Sequence, residues 1–273
     1  MNKAIYFKAL QKKNRYRNPD CILSQTEKIF LSSHELIHAS EYLKKIEICG
    51  IKYTYPGHED YPAFFYKMIE PPLFLEFIGQ PCWNQFDFIS VIGSRNCHDL
   101  TAAWISSQLV HFLKLNDSLG LVSGGAIGVD MRSHAAALRA KSPTIVVLPC
   151  GLREMYPAEL KTIMTEILNS GGAIISEFSY DQKIHKSFFY FRNRLIAAFG
   201  RVCLVAQAGL KSGTMLTVHH ALQNGRPVIT IPSHPGLTDF SGNLKLINDG
   251  AVSVTDCISL QNFWNAEAWS GFK

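Results

Sequence analysis

The chain has no CxxC pair among its seven cysteines, which stand at positions 21, 49, 82, 97, 150, 203 and 257. Zinc-ribbon and dithiol-redox layouts are thereby excluded, and an odd, scattered count is no disulfide framework. The usage is that of a reduced, cytosolic protein, so a cytoplasmic location is expected, with no metal site and no cofactor. No apolar run approaches the length needed to span a bilayer, so no membrane partner is expected. The basic opening segment, Met1–Arg17, has no apolar h-region, and a secretory leader is not expected. Neither a GxGxxG dinucleotide fingerprint nor a phosphate-loop lysine is present, which argues against nucleotide hydrolysis. Internal repeats and low-complexity tracts are also missing.

One further absence points somewhere. From Gln182 to Thr238 there is no Asp or Glu, while the same stretch carries Lys183, Lys186, Arg192, Arg194, Arg201, Lys211 and Arg226. The whole chain has a formal charge of only +5, so this local imbalance says more than the total. A long acid-free stretch gives a surface of single-sign potential, which suits phosphate groups.

What is present is enough for a folded core. The 273 residues are 47% apolar, sufficient for one large α/β domain and a smaller appendage. Residues 1–80 are richer in Lys, Tyr and Glu, with weak helical periodicity and one plausible helix or helix pair over Thr26–Lys45. Pro-containing breaks at Tyr55-Pro56-Gly57 and Glu70-Pro71-Pro72 mark a connector. This segment is expected to be a small, mainly helical appendage.

From Asp87 onward the pattern is regular. Strands are predicted at Phe88–Ile92, Leu119–Ser123, Thr144–Leu148, Ala173–Ser176, Val202–Ala206, Val228–Ile231 and Val252–Val254. Helices are predicted near Leu100–Lys114, Val129–Ala140, Ala158–Asn169, Phe191–Ala198, Thr214–Gln223 and Gly242–Asn248. Continuous apolar strands alternating with helices indicate a doubly wound, mostly parallel, Rossmann-like sheet over 81–258. Residues 259–273 read as a short tail.

Ligands of such sheets bind beyond the carboxyl ends of the strands, so the residues there carry the functional reading. The first strand ends in Gly93-Ser94-Arg95, a tight turn with an Arg suited to a phosphate oxygen. The second ends in Ser123-Gly124-Gly125 and runs on to Gly128-Val129-Asp130. Small residues there leave backbone N–H groups open as an anion nest. Asp130 is placed to cap or orient the following helix, and His134, four residues on, reads as a packed histidine tied to Asp130.

The run Lys186-Ser187-Phe188-Phe189-Tyr190-Phe191-Arg192-Asn193-Arg194 sets aromatics against cations. Aromatic faces stack on unpaired bases while Arg and Lys hold phosphates, and a duplex hides its base faces. Within that run Phe191 reads as core, Phe188 is open between core and ligand, and Lys186 and Phe189 are the strongest candidates. Finally, Lys211-Ser212-Gly213-Thr214 opens a helix and offers a further anion site.

In order and spacing, these residues closely resemble the DNA-processing protein A family (DprA, also called Smf). The resemblance spans about 61–257 and includes Tyr61-Pro62, Pro71-Pro72-Leu73, Gly93-Ser94-Arg95, Ser123-Gly124-Gly125, Gly128-Val129-Asp130, Tyr156-Pro157, Ser176-Glu177, Arg192-Asn193-Arg194 and Ser212-Gly213-Thr214. It implies a non-enzymatic protein that binds incoming single-stranded DNA during natural transformation, protects it, and loads the RecA recombinase. It also implies a homodimer, and a DNA pocket using Arg95, Lys186 and Phe189. Relatives often carry a C-terminal winged-helix domain, which is not expected in this chain.

An enzymatic alternative is a phosphoribohydrolase-like nucleotide protein. Its chemistry needs a carboxylate soon after a Gly-Thr pair, but Gly213-Thr214 is followed by Met215-Leu216-Thr217-Val218-His219-His220. Glu177, at a strand end, reads as a structural partner for Arg192 or Arg194. A module that senses a small phosphorylated nucleotide remains open at this level.

Overall fold

A computed structural model of the chain describes residues 2–14 and 31–266. Nine strands form one sheet in the order β1-β2-β6-β5-β4-β3-β7-β8-β9. Strands β3 (Asp87–Gly93), β4 (Leu119–Ser123), β5 (Thr144–Val147), β6 (Ala173–Ser176), β7 (Val202–Gln207), β8 (Val228–Thr230) and β9 (Val252–Ser253) run parallel. The expected doubly wound, mostly parallel sheet is therefore present, and β4 and β6 start and stop at the predicted residues. Two strands were not predicted. β1 (Lys52–Thr54) and β2 (Leu75–Gly79) add an antiparallel edge, with β2 pairing β6. Glu76 interrupts the apolar run of β2 and hides it from a hydropathy reading.

From β3 the chain winds outward through β4, β5 and β6. It then returns to pair β7 with β3 and winds the other way. The strand order reverses beside β3 and β7, and the crevice at their carboxyl ends is where such sheets bind ligands.

Successive strand residues face opposite layers, as pleating requires. Ile89, Leu121 and Leu204 meet one layer and Phe88, Val122, Cys203 and Val205 the other. The first layer holds α3, which runs Asp99–Trp104, passes through a π-helical segment Ile105–Leu109 and ends as Val110–Lys114. It also holds α4 (Val129–Ala140), and α5 (Leu160–Asn169) packs on the same side of β5 and β6. The second layer is α6 (Phe188–Phe199), α7 (Gly213–Gln223) and α8 (Ser241–Asn248). Helix α6 starts earlier than predicted, because Phe188 and Phe189 form its first turn.

The expected tail contains α9 (Cys257–Asn265). A capping box of Asp256 and Ser259 starts it. Its Trp264 is buried, edge-on to Phe112 at 5.9 Å and under the Arg201 guanidinium at 5.0 Å. Trp269 lies outside the described residues.

The N-terminal segment contributes α1 (Lys3–Asn14) and α2 (Ser33–Ile48). Helix α2 begins later than the predicted Thr26, at a Ser32–Glu35 capping box, and residues 26–30 lie outside the described residues. Both helices dock on the charge that hid β2. Lys8 Nζ lies 2.6 Å from Glu76 Oε1, and the Tyr42 hydroxyl donates to the same oxygen at 2.7 Å. Gln11 donates to the carbonyls of Phe74 and Glu177. Burial pushes the Glu76 carboxyl above its usual range, while Lys8 pulls it back.

Removing one partner of a buried pair strands the other, which typically costs about 3–5 kcal/mol. Lys8→Met is expected to lose stability on that scale in urea unfolding. The double variant Lys8→Met/Glu76→Gln, which leaves Tyr42 an acceptor, should recover most of it. A loss below about 1 kcal/mol for the single variant, the range of exposed pairs, would show that Glu76 is solvated.

Candidate functional site

Helix α6 enters the sheet edge under one constraint. The Arg192 guanidinium is buried and donates to the carbonyl oxygens of Gly124 at 2.6 Å and Val147 at 2.9 Å, at the ends of β4 and β5. A Cβ on Gly124 would sit 1.8 Å from Arg192 Nη1, so only glycine leaves room. Burial lowers the Arg192 pKa to about 10, with Asp130 opposing the shift and Arg95 adding to it. The group stays cationic at neutral pH.

Phe189 lies three residues earlier on the same helical face. It is half-buried, with the Arg192 guanidinium 5.7 Å and that of Arg95 5.2 Å from its ring centre. Arg95 sits on the turn after β3, which is clamped from two sides. Gln207 accepts from the His98 N–H at 2.8 Å and donates to the Asn96 carbonyl at 3.0 Å. Val129 N–H donates to the Ser94 carbonyl at 3.1 Å. The neighbouring Gly128 has φ +96°, and a Cβ there would meet the carbonyl oxygens of Ser94 and Arg95. Gln207 was not expected as a site residue, and Gly128 was read as part of the nest loop rather than as a clamp on this turn. The Gly at a strand-to-helix turn was a readable signal, whereas Gln207 acts through tertiary contacts alone.

These elements enclose a crevice of about 720 Å³. Its walls include Arg95, Lys186, Phe189, Arg192, Asn193 and the Ser212-Gly213-Thr214 turn. Eight of the thirteen expected site residues thus converge. Ser212 is the N-cap of α7, yet its side chain makes no cap hydrogen bond. Its buried hydroxyl has no hydrogen-bond partner among the described residues. A Cβ on Gly213 would meet nothing within 4 Å. The start of α7 thus offers backbone N–H groups and its positive dipole end to an anion.

The other five lie elsewhere. Ser123 is fully buried and donates to the Val91 carbonyl at 2.6 Å. Gly124 and Gly125 lie beneath the crevice rather than on its wall, and Lys211 is exposed beside it. Arg194 faces the opposite way and is buried against Glu177, with its Nη2 2.5 and 2.6 Å from the two carboxylate oxygens. Glu177 is therefore the structural partner expected of it, through Arg194. Phe188 is core, stacked on Phe178 at 4.3 Å, while Phe191, expected in the core, is half-buried.

The expected tie between His134 and Asp130 is corrected. His134 is fully buried and its Nδ1 lies 2.8 Å from Thr144 Oγ1. Burial holds its pKa down to about 3, so the ring is neutral. Asp130 turns the other way, and its Oδ2 accepts from the N–H groups of Gly124 at 3.2 Å and Ala126 at 3.3 Å. Asp130 is the one carboxylate among the crevice-lining residues. Arg95 and Lys186 make no ion pair among the described residues.

Fold and site together define a class: a Rossmann-like α/β protein whose switch-point crevice pairs unneutralised cations with an aromatic ring. Residues 52–265 match the model of the DNA recombination-mediator protein A family, and the chain belongs to that family. The DNA processing protein DprA of Streptococcus pneumoniae is 34% identical over 197 residues, 71% of this chain and 68% of that protein. Protein Smf of Synechocystis is 30% identical over 221 residues, 78% of this chain, and the chain spans 54% of its length. An X-ray structure of DNA processing protein A from Streptococcus pneumoniae superposes with a TM-score of 0.75 at 26% identity, over 95% of this chain and 92% of that one. A structure of the Helicobacter pylori protein, described for its single-stranded DNA binding mode, gives 0.69 at 28% identity, over 78% and 95%.

Gly124→Ala is expected to cost about 1–3 kcal/mol in urea unfolding, the usual range for overpacking. Gly213→Ala, with open space around it, should stay within about 0.5 kcal/mol of the wild type. Equal costs for the two would show that the Arg192 seat does not need glycine.

Proposed function

We propose that this protein binds single-stranded DNA in the crevice between β3, β7 and α6, without catalysing a reaction on it. The observation that carries the reading is the Arg95 guanidinium set 5.2 Å from the ring of Phe189, at a wall shared with Lys186. Unpaired bases stack on such a ring while the cations hold the flanking phosphates. A duplex offers phosphates but no free base faces. Of the seven cations in the acid-free stretch from Gln182 to Thr238, Lys183, Lys186 and Lys211 are exposed and add favourable potential, whereas Arg192, Arg194 and Arg226 are buried and Arg201 pairs with Asp87. Membership of the DNA recombination-mediator protein A family, and the Helicobacter pylori relative described as binding single-stranded DNA, support the same reading.

In its wider form, the protein protects incoming DNA during natural transformation, acts as a homodimer and passes the strand to the RecA recombinase. Family membership supports this part. The phosphoribohydrolase alternative is disfavoured by what the carboxylates do. Both Glu177 oxygens are held by Arg194, Asp130 Oδ2 is tied to two loop N–H groups, and no acid follows Gly213-Thr214.

Mutation separates the two kinds of contact. Arg95→Ala and Lys186→Ala should each weaken binding of a labelled single-stranded oligonucleotide and lower its salt slope by about 1. Phe189→Ala should weaken it by about 1–3 kcal/mol with the slope nearly unchanged, because stacking carries no counterion release. If the cation variants kept the wild-type affinity and slope, the crevice would not be the DNA site.

A further inference from the structure

Phe189 is not the only aromatic on the crevice wall. Tyr190 lines it too, and is 44% exposed, one of the larger apolar surfaces that this part of the molecule shows to solvent. Residues adjacent on a helix lie about 100° apart, so the two rings cannot clamp one base between them. Phe189 turns toward Arg95 and Tyr156, with the Tyr156 ring edge-on at 6.1 Å. Tyr190 turns toward α7, and its ring meets that of His220 edge-on at 4.8 Å. Leu216 and Thr217 of α7 also line the crevice, and Leu216 is 46% exposed.

Resting on the single-strand reading above, we propose that Tyr190 is a second stacking face, which takes a different base from the one on Phe189. The bound strand then runs from the Arg95–Phe189 side toward the α7 side and places two bases on two separate rings. The ring supporting Tyr190 is the uncharged imidazole of His220. Burial lowers the His220 pKa to about 4, so that ring is neutral at pH 7. The Tyr190 contact is therefore free of any cation of its own, unlike Phe189 with Arg95 beside it. A ring that only filled space against His220 would have no need to face the crevice.

The test uses the full chain and a fluorescent oligothymidylate, titrated with wild type, Tyr190→Ala, Tyr190→Phe, Phe189→Ala and the Ala double variant. One stacked base is worth at least about five-fold in affinity. Tyr190→Ala should lose that much with an unchanged salt slope, and Tyr190→Phe should bind like the wild type, since stacking needs the ring and not the hydroxyl. The two Ala losses should multiply in the double variant, as independent bases require. An oligonucleotide carrying 5-iodouracil should crosslink to Tyr190 on irradiation.

Wild-type affinity in Tyr190→Ala would overturn the proposal, as would Tyr190→Phe as weak as Tyr190→Ala. A double variant no weaker than Phe189→Ala would also overturn it, reducing Tyr190 to a support for its neighbour. In each of these cases Arg95→Ala still weakens binding, and the crevice reading stands. If Arg95→Ala binds normally, or the wild type binds no single strand, both fall together.

Discussion

The seat of Arg192 is the constraint on which the site depends. A guanidinium buried between the carbonyls of Gly124 and Val147 joins the start of α6 to the ends of two parallel strands. Hydrogen bonds from a charged donor are among the stronger ones, and leaving such a donor buried and unmade is costly. The bond geometry therefore fixes both the depth and the rotation of α6. Phe189, one turn earlier, is carried to the crevice wall as a consequence. The same contact explains why Gly124 has no side chain.

Charge in this region divides into two uses. Arg192 and Arg194 turn inward, one onto carbonyls and the other onto Glu177. Arg95 and Lys186 remain at the crevice with no ion pair among the described residues. One Arg-Asn-Arg motif thus serves the fold through two of its members, while Asn193 lines the crevice. The turn that presents Arg95 is held in turn by Gln207 and by the close approach of Gly128. A few outward groups are thus held in place by inward ones.

The parallel strands were legible because each is a short apolar run between helical patterns, and β4 and β6 were bounded to the residue. β2 was not legible, because Glu76, its second residue, is neutralised by Lys8 from a helix 68 residues away. No local pattern carries that pairing. Helix α9 was not read from the sequence, where 259–273 was taken as a short tail, because its cap of Asp256 and Ser259 departs from the usual Ser/Thr-x-x-Glu/Gln signature. At the site, Arg95 and the Ser212–Thr214 turn were legible from residue type and position after a strand, and Lys186 and Phe189 from the run of aromatics against cations. Which arginine of a motif faces inward was not, since that depends on the carbonyl and carboxylate partners that the sheet brings to it. His134 illustrates the same limit: spacing suggested Asp130, and packing against β5 selected Thr144.

The proposed crevice reads unpaired bases together with phosphates. The most direct measurement is a titration of the full chain with single-stranded oligonucleotides of increasing length, and with duplexes of the same sequences, at two salt concentrations. Single strands should bind more tightly than duplexes at every length, with affinity rising with length and falling steeply with salt. Equal affinity for duplexes, or binding that does not change with length from a single nucleotide upward, would contradict it.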